Sequence, residues 1–503
     1  MNTQLFSKQF SKIIPSPPLR VSSYAILTHA EKANKYIVSH GCTGALIPID
    51  KNCYEWLSTG AKSKSQDKFV PDDEILKLVE NGILTFKTQE QERASVKQFI
   101  GSYFEQIEKS GNASITVILS YDCNFRCTYC TQRHTQLKGD NHLSLAMNND
   151  VMDACFEFIR NSGTNEVTLF GGEPLMPYPE HIKRVERFFE GIRELGGMRV
   201  NIVSNGYSWK EYENVFKSGL ISNIQVTIDG PPEVHDQRRL MKGGGDTFYS
   251  ILSNVAWALD LGVPITARIN VDHGNVSELS AITKIFEEKG LYRHGIFTSY
   301  ISPVQSNGYY KQKSLFGHQE MFERMLDHHT LEGRSTNVGE MPFNQDYLPT
   351  LWRDMKSIID GDKERMDLRV SYCGAYASMM ILDPYGDIYP CWDFVDHEEH
   401  RVGSYFPEVK LDKNSMDLWR GRGREVIQKD CLDCPYVLLH GSGCQAEAYR
   451  RTGEFWERDC EDFSYQFDLA LRAALGDIDI RGRDLKHSDL KCSSCGSQQT
   501  CST

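Results

Sequence analysis

Between residues 110 and 310, short apolar runs alternate with longer stretches of helical periodicity. The runs fall at 115–120, 166–170, 199–204, 223–228, 264–271 and 296–301. Near-continuous apolar runs of this length, each followed by a helical pattern, predict parallel βα units. Upstream the pattern is shorter and more broken. Ser23–Leu27, Lys35–Val38 and Gly44–Pro48 read as extended segments punctuated by Gly41 and Gly44. Helical stretches follow at Cys53–Leu57 and Asp72–Glu80, the second opening on acidic residues and stopping at Asn81-Gly82. A strand at Ile83–Phe86 closes this unit, the polar segment Lys62–Lys68 reads as a loop, and Glu90–Lys109 reads as a linking helix. Downstream of the βα region, Gln319–His328 is helix-like, Asp383-Pro384-Tyr385-Gly386-Asp387 has hairpin-turn chemistry, and 466–490 is helical and charged.

A chain of 503 residues is long enough for two to four domains. Charged residues at 25% and hydrophobic residues at 40% are ordinary for a soluble globular protein. The net charge of −12 argues against nucleic acid or an anionic membrane as the main partner. No apolar run approaches the ~18 residues needed to span a bilayer, and Met1–Pro18 carries no secretory apolar core. The expected location is the cytoplasm. Fifteen cysteines are then better read as metal ligands than as disulfides. Cys42, Cys53 and Cys155 stand apart from the rest and read as buried, inert thiols.

The densest chemistry is Cys123-Asn124-Phe125-Arg126-Cys127-Thr128-Tyr129-Cys130, directly after the first apolar run. Three thiolates at C-x3-C-x2-C can hold three irons of a [4Fe–4S] cube and leave the last iron open to a small molecule. Structural zinc is the competing reading, although it usually takes four ligands in C-x2-C pairs. The stretch resembles the signature of the radical S-adenosylmethionine (SAM) family, C-x3-C-x-aromatic-C, with Tyr129 as the aromatic residue. The resemblance implies a [4Fe–4S] cluster on Cys123, Cys127 and Cys130 that binds SAM and cleaves it to a radical. It also implies a partial (β/α)6 barrel over residues 106–310, with functional residues at the C-terminal strand ends. Gly171-Gly172-Glu173-Pro174, after the second strand, resembles the family's GGEP motif, which receives the SAM amino group. Ser204, Thr227 and Arg268 end or occupy later strands, where the family meets the SAM ribose and carboxylate. An arginine there offers a bidentate fork. His235-Asp236 and Arg238 fall in a segment that related peptide maturases also carry.

A second set of cysteines begins at Cys373, followed by Gly386, Cys391, Cys431, Cys434, Cys444 and Cys460. This array resembles the SPASM domain, an iron–sulfur extension of radical SAM enzymes, here over residues 371–465 after a bridging region at 311–370. The family's wiring implies two auxiliary [4Fe–4S] clusters. One would use Cys373, Cys391 and Cys444, with no cysteine between Cys155 and Cys373 to complete it. The other would use Cys431, Cys434, His440 and Cys460, with His440 standing where the pattern has a third inner cysteine. A structural zinc on Cys431, Cys434, Cys444 and Cys460 is the alternative. Related sulfatase-maturing enzymes place a basic carboxylate directly after the cysteine that corresponds to Cys391. Here Trp392 takes that place and Asp393 follows, which counts against that specific activity.

Residues 1–105 resemble the winged-helix-like leader-recognition domains of peptide-modifying enzymes, which bind an extended peptide at a sheet edge. A structural cap on the barrel is the alternative. The tail, 466–503, carries Cys492, Cys495 and Cys501, read as a disordered end, a metal hook or a cluster contact. The resemblance as a whole implies a maturase that abstracts a hydrogen atom from a ribosomally made precursor peptide and closes a thioether or carbon–carbon crosslink. An external electron donor such as flavodoxin or ferredoxin is implied with it. Side-chain oxidation of the sulfatase-maturing type and peptide epimerisation are the alternatives within enzymes. A non-enzymatic peptide-binding or electron-relay protein is the alternative outside them.

Overall fold

The computed structural model describes residues 18–61, 70–110, 113–305, 315, 320, 347–460 and 462–477. The expected loop at 62–68, most of the helix-like run 319–328, His328, His329 and the cysteines of the tail lie outside the described residues.

The N-terminal unit starts with β1 (Arg20–Val21), β2 (Ala25–Ala30), β3 (Lys35–His40) and β4 (Leu46–Ile49). β2, β3 and β4 form an antiparallel sheet in that order. Asp50 then caps the helix Lys51–Ser58, its carboxylate accepting from the Cys53 amide at 2.7 Å. The helix Asp72–Glu80 opens on three acidic residues, favourable at a helix N-terminus. β5 (Leu84–Thr85) pairs antiparallel with β1 rather than with the three-stranded sheet. The helix Gln89–Ser110 leads into the barrel.

All six expected barrel strands form: β6 (Ser114–Val117), β7 (Glu166–Leu169), β8 (Arg199–Ser204), β9 (Ile221–Thr227), β10 (Ile265–Val271) and β11 (Phe297–Pro303). They are parallel and pair in sequence order. Helices Asn149–Asn161, Pro179–Glu194, Phe248–Asp260 and Leu279–Glu288 cover the sheet. Val117, Val167, Val200, Ile224 and Ile265 from the strands meet Cys155, Phe188, Val255 and Phe286 from these helices in one buried core. Burying a side chain of this size is worth about 1.5–3 kcal/mol, so the barrel is held mainly by this layer.

The sheet does not stop at β6. β12 (Met379–Leu382) runs parallel to it, with Met379 opposite Ser114 and Leu382 opposite Val117. β13 (Asp387–Tyr389) returns from β12 through the expected hairpin turn, where the Asp383 carboxylate accepts from the Tyr385 and Asp387 amides. β14 (Gly403–Ser404) and β15 (Lys410–Leu411) complete a ten-stranded sheet. The cysteine-rich module is thus grown on the barrel's own edge.

The N-terminal sheet shares a core with the C-terminal part of the chain. Ala30, Ile37 and Leu46 pack with Met355, Tyr436 and Phe467 and Leu471 of the helix Phe463–Ala474. No helix among the described residues is long and apolar enough to cross a membrane.

Candidate functional site

The loop after β6 carries Cys123, Cys127 and Cys130 across the C-terminal ends of the barrel strands. It is held by backbone pairing with the segment after the helix Pro232–Arg238. The Arg126 amide donates to Leu240 O at 2.7 Å, Thr128 to Arg238 O at 3.0 Å, and Lys242 to Asn124 O at 2.7 Å. Burial pushes the Cys123 thiol well above its usual range, with Glu173, Cys127 and Cys130 adding to the shift. Burial likewise raises Cys127 and takes Cys130 to about 11. Arg239 lies beside this trio. Burial disfavours its charge, but Cys127, Tyr129 and Asp229 lift its pKa above the ordinary value. Three partly buried thiols next to a fixed cation suit ligation as thiolates, because metal bonding replaces the protons that desolvation would otherwise retain.

Gly171 and Gly172 cross directly under the cysteine loop. At Gly172, φ is +53° and a Cβ would stand 2.2 Å from the Asp122 carbonyl oxygen. Only a residue without a side chain permits that approach. The Gly172 amide donates to Gln132 Oε1 at 2.8 Å and the Glu173 amide to Asp122 O at 2.8 Å. Glu173 is buried, which raises its pKa, while three donors act in the opposite sense. Its carboxylate accepts from the Asn205 amide at 2.6 Å, Ser204 Oγ at 2.7 Å and the Leu175 amide at 2.8 Å.

Ser204 therefore stands behind Glu173. Its hydroxyl also accepts from Trp209 Nε1 at 2.9 Å and the Gly206 amide at 3.1 Å. Replacing Ser204 by Ala should cost about 1–3 kcal/mol by leaving buried polar partners unmatched. The readout is the chemical-denaturation midpoint of the cluster-free protein. A Ser204 that served only to meet a bound ligand would leave that midpoint unchanged.

Tyr129, the aromatic residue of the motif, points into a buried polar centre. Its hydroxyl donates to Asp229, and Arg239 Nη1 and Asn270 Nδ2 approach it at 3.2 and 3.3 Å. Asp229 also accepts from the Asn270 amide at 3.0 Å and pairs with Arg238 at 3.5 Å. Arg238 in turn donates to both Asp272 oxygens at 2.9 Å. Thr227 lies at the end of β9 and Arg268 on β10, opposite one another in the sheet register. Arg268 donates to Asn270 Oδ1 and Ser302 Oγ, both at 2.8 Å.

Arg239 and Gln132 carry no signal of their own in the sequence. Asp229 and Asn205 each lie just past a barrel strand, where a polar residue is a usable signal. Gln132 lies two residues past Cys130 in the chain, whereas Arg239 comes close to the cysteines only through the fold.

Among the later cysteines, Cys373, Cys391 and Cys444 lie near one another, as do Cys431, Cys434 and Cys460. Cys391 is buried and raised by that burial, with Asp393, Cys444 and Cys373 adding to the shift. Asp393 belongs to this group, paired with Arg450 at 2.9 Å. Trp392 instead packs edge-to-face on Phe170, the residue before the glycine pair, with ring centroids 4.3 Å apart. Cys431 is pushed up to about 12 by burial, with Cys434 and Cys460 adding to it. Arg458 stands against Cys460, Cys431 and Cys434, which raise its pKa. His440 is buried in an aromatic box, its ring 4.6 Å from Phe463 and 6.0 Å from Tyr372. Among the described residues no three His, Cys, Asp or Glu side chains close on a single metal ion. A four-iron cube asks for something else, since it takes each thiolate on a different iron and so spreads its ligands.

Residues 117–279 match the family model described as the Radical SAM superfamily. A cysteine-type anaerobic sulfatase-maturating enzyme of Clostridium novyi (strain NT) is 21% identical over 344 residues, covering 65% of this chain and 86% of that protein. The sporulation killing factor maturation protein SkfB of Bacillus subtilis (strain 168) is 22% identical over 283 residues, 55% of this chain and 60% of SkfB. The match thus spans less than two thirds of SkfB. Streptococcus suis SuiB, solved bound to its precursor peptide SuiA, shares the fold at a TM-score of 0.51 and 14% identity, over 88% of this chain and 99% of SuiB. Residues 117–279 carry a radical SAM domain, set on an α/β fold with a parallel sheet.

Proposed function

We propose that this enzyme matures a ribosomally made precursor peptide, taking a hydrogen atom from it and closing an intramolecular thioether or carbon–carbon crosslink. One observation carries the reading. A single ten-stranded sheet bears the Cys123/Cys127/Cys130 loop at its barrel and two further thiol groups in the module grown on its edge. Cys123, Cys127 and Cys130 would hold the SAM-binding [4Fe–4S] cluster, and Gly171–Pro174 would receive the SAM amino group. Thr227 and Arg268 would meet the rest of SAM. Cys373, Cys391 and Cys444 form the core of one auxiliary site, and Cys431, Cys434 and Cys460 form the core of the other.

When bound, these groups supply hydrogen-atom abstraction at the first site and a sink for an electron at the others. The chain's own residues set the conditions. Arg239 balances negative charge at the thiolates. Glu173, held by Ser204 and Asn205, presents fixed negative charge beside the cysteine loop. Trp392 and Phe170 close the side facing the cysteine-rich module with apolar surface. Asp393 is tied to Arg450 beside Cys391, an arrangement suited to tuning that thiol group.

A peptide leader fits the N-terminal sheet by strand addition along β2, which pairs only with β3 among the described residues. The opposite outer strand, β4, carries Pro48, which offers no amide donor. The electron that starts the cycle would come from a small donor protein such as flavodoxin or ferredoxin.

The test is anaerobic incubation of the reconstituted chain with dithionite, SAM and candidate precursor peptides. Release of 5′-deoxyadenosine with loss of a pair of hydrogens from the peptide, and fragments missing between the joined residues, is the expected result. An aldehyde captured by a hydrazide probe would make it a side-chain oxidase. Solvent deuterium gained without a mass change from crosslinking would make it an epimerase. Absence of 5′-deoxyadenosine would overturn the reading.

A further inference from the structure

The thiol group at Cys431, Cys434 and Cys460 has three cysteines where a four-iron cluster takes four ligands. The family pattern has position 440 as the fourth, and the fold packs the His440 imidazole against Tyr372 and Phe463. A further thiol, Cys42, sits on a turn of the N-terminal sheet that packs against the same loop.

The turn Gly41-Cys42-Thr43-Gly44 links β3 to β4 and is pressed onto the Cys431–Cys434 loop. A Cβ on Gly41 would stand 1.5 Å from the Pro435 carbonyl oxygen, so the two backbones touch directly beside Cys434. On the other flank, a Cβ on Gly44 would meet the Met366 carbonyl at 2.3 Å, and the Met366 amide donates to Gly44 O at 2.8 Å. Tyr24 completes the seam. Its hydroxyl donates to Leu432 O at 2.6 Å, and its carbonyl accepts from the Gly41 amide at 3.0 Å. Arg93 of the linking helix reaches Asp433 at 3.4 Å.

The turn itself is built to hold Cys42 in one position. His40 Nδ1 accepts from the Cys42 amide at 3.2 Å and the Thr43 amide at 3.1 Å. With Nδ1 accepting, the ring proton sits on Nε2 and is shared with Ser22 Oγ at 2.9 Å. Ser22 then donates to Glu92 Oε1 at 2.5 Å. Burial keeps His40 neutral, lowering its pKa to about 4, which this tautomer requires. Cys434 lies within electrostatic reach of the Cys42 thiol.

We infer that Cys42, carried by the N-terminal sheet, is the fourth ligand of the cluster held by Cys431, Cys434 and Cys460, in the place the family pattern gives to position 440. The inference rests on the auxiliary-cluster reading above. Binding replaces the Cys42 S–H bond by an S–Fe bond and releases the proton to solvent, with no change in oxidation state. Arg458, beside the other three thiols, offsets the added negative charge. A domain read as a peptide holder thereby becomes a structural part of an iron–sulfur site.

The experiment uses the full chain reconstituted anaerobically with ferrous iron and sulfide. Iron content and Mössbauer and EPR spectra are compared for wild type, C42S, H440F and the double variant C431A/C434A. The double variant should lose about four irons. C42S should alter the signals of that same cluster and no other, while H440F, which keeps a ring in the aromatic box, should leave them unchanged. On the unmutated chain, Cys42 should be alkylated by iodoacetamide at least about 10-fold more slowly with clusters present than after their removal. The inference is overturned if C42S keeps the wild-type spectra while C431A/C434A loses its irons. Equal alkylation in the two states also overturns it, as would signals altered by H440F alone. If C431A/C434A keeps all its iron, the auxiliary-cluster reading fails and the inference falls with it.

Discussion

Replacing Cys123, Cys127 and Cys130 together by Ala should abolish 5′-deoxyadenosine formation while leaving the chain folded. The expected loss is on the order of 10⁶-fold or more, the usual span of an enzymatic rate enhancement. Iron content should fall by about four per chain. The fold should survive because the loop's position comes from its backbone. Arg126, Thr128 and Lys242 carry the pairing to the 238–242 segment, and none of those bonds uses a thiol. Far-ultraviolet circular dichroism should therefore match wild type. Persistent SAM cleavage in the triple variant would remove the cluster from this loop.

The second large effect is expected at Asp229. Changing it to Ala strips one buried carboxylate from Tyr129, from the Asn270 amide and from Arg238. Removing one partner of a buried ion pair typically costs about 3–5 kcal/mol, because the remaining charge stays buried. Asp272 still holds Arg238, so the lower half of that range is the better expectation here. Tyr129 stands next to Cys130, and its loosened hydroxyl should also lower cluster occupancy. Asp229→Asn keeps an acceptor for Tyr129 and the Asn270 amide but not the charge facing Arg238, and should recover only the hydrogen-bonding part of the loss. Denaturant midpoints and iron content of the two variants check this. Equal stability of D229A and wild type would show that the polar centre does not support the loop.

The barrel strands were legible because each is a short apolar run with a polar strand end, and parallel strands buried on both faces read that way. The cysteine loop and Gly171–Pro174 were legible because their spacing is local. What the sequence concealed was long-range. Met379–Leu382 is an apolar run too short to declare its partner, and only the fold shows it lying beside β6. Asp229 was visible as a strand-end residue, but its contact with Tyr129 joins elements a hundred positions apart. The bond from the Ser204 hydroxyl to Glu173 joins the ends of two strands and is likewise invisible in the sequence. Cys42 stands far in sequence from other cysteines and reads there as an inert thiol. Its neighbour is Cys434, brought to it by the shared core of Ile37, Leu46, Tyr436 and Phe467.

The seam between β6 and β12 has a consequence for how the chain is made. β6 is the first barrel strand to leave the ribosome, and its outer neighbour lies more than half the chain's length downstream. At about 5–20 residues per second, that edge waits for on the order of tens of seconds with its amides and carbonyls unpaired. An open strand edge is a template for association with other chains. Chaperone occupancy during synthesis, and aggregation of any fragment that ends before Met379, both follow from that delay. Production of the barrel alone is thus the wrong starting point for loading its iron.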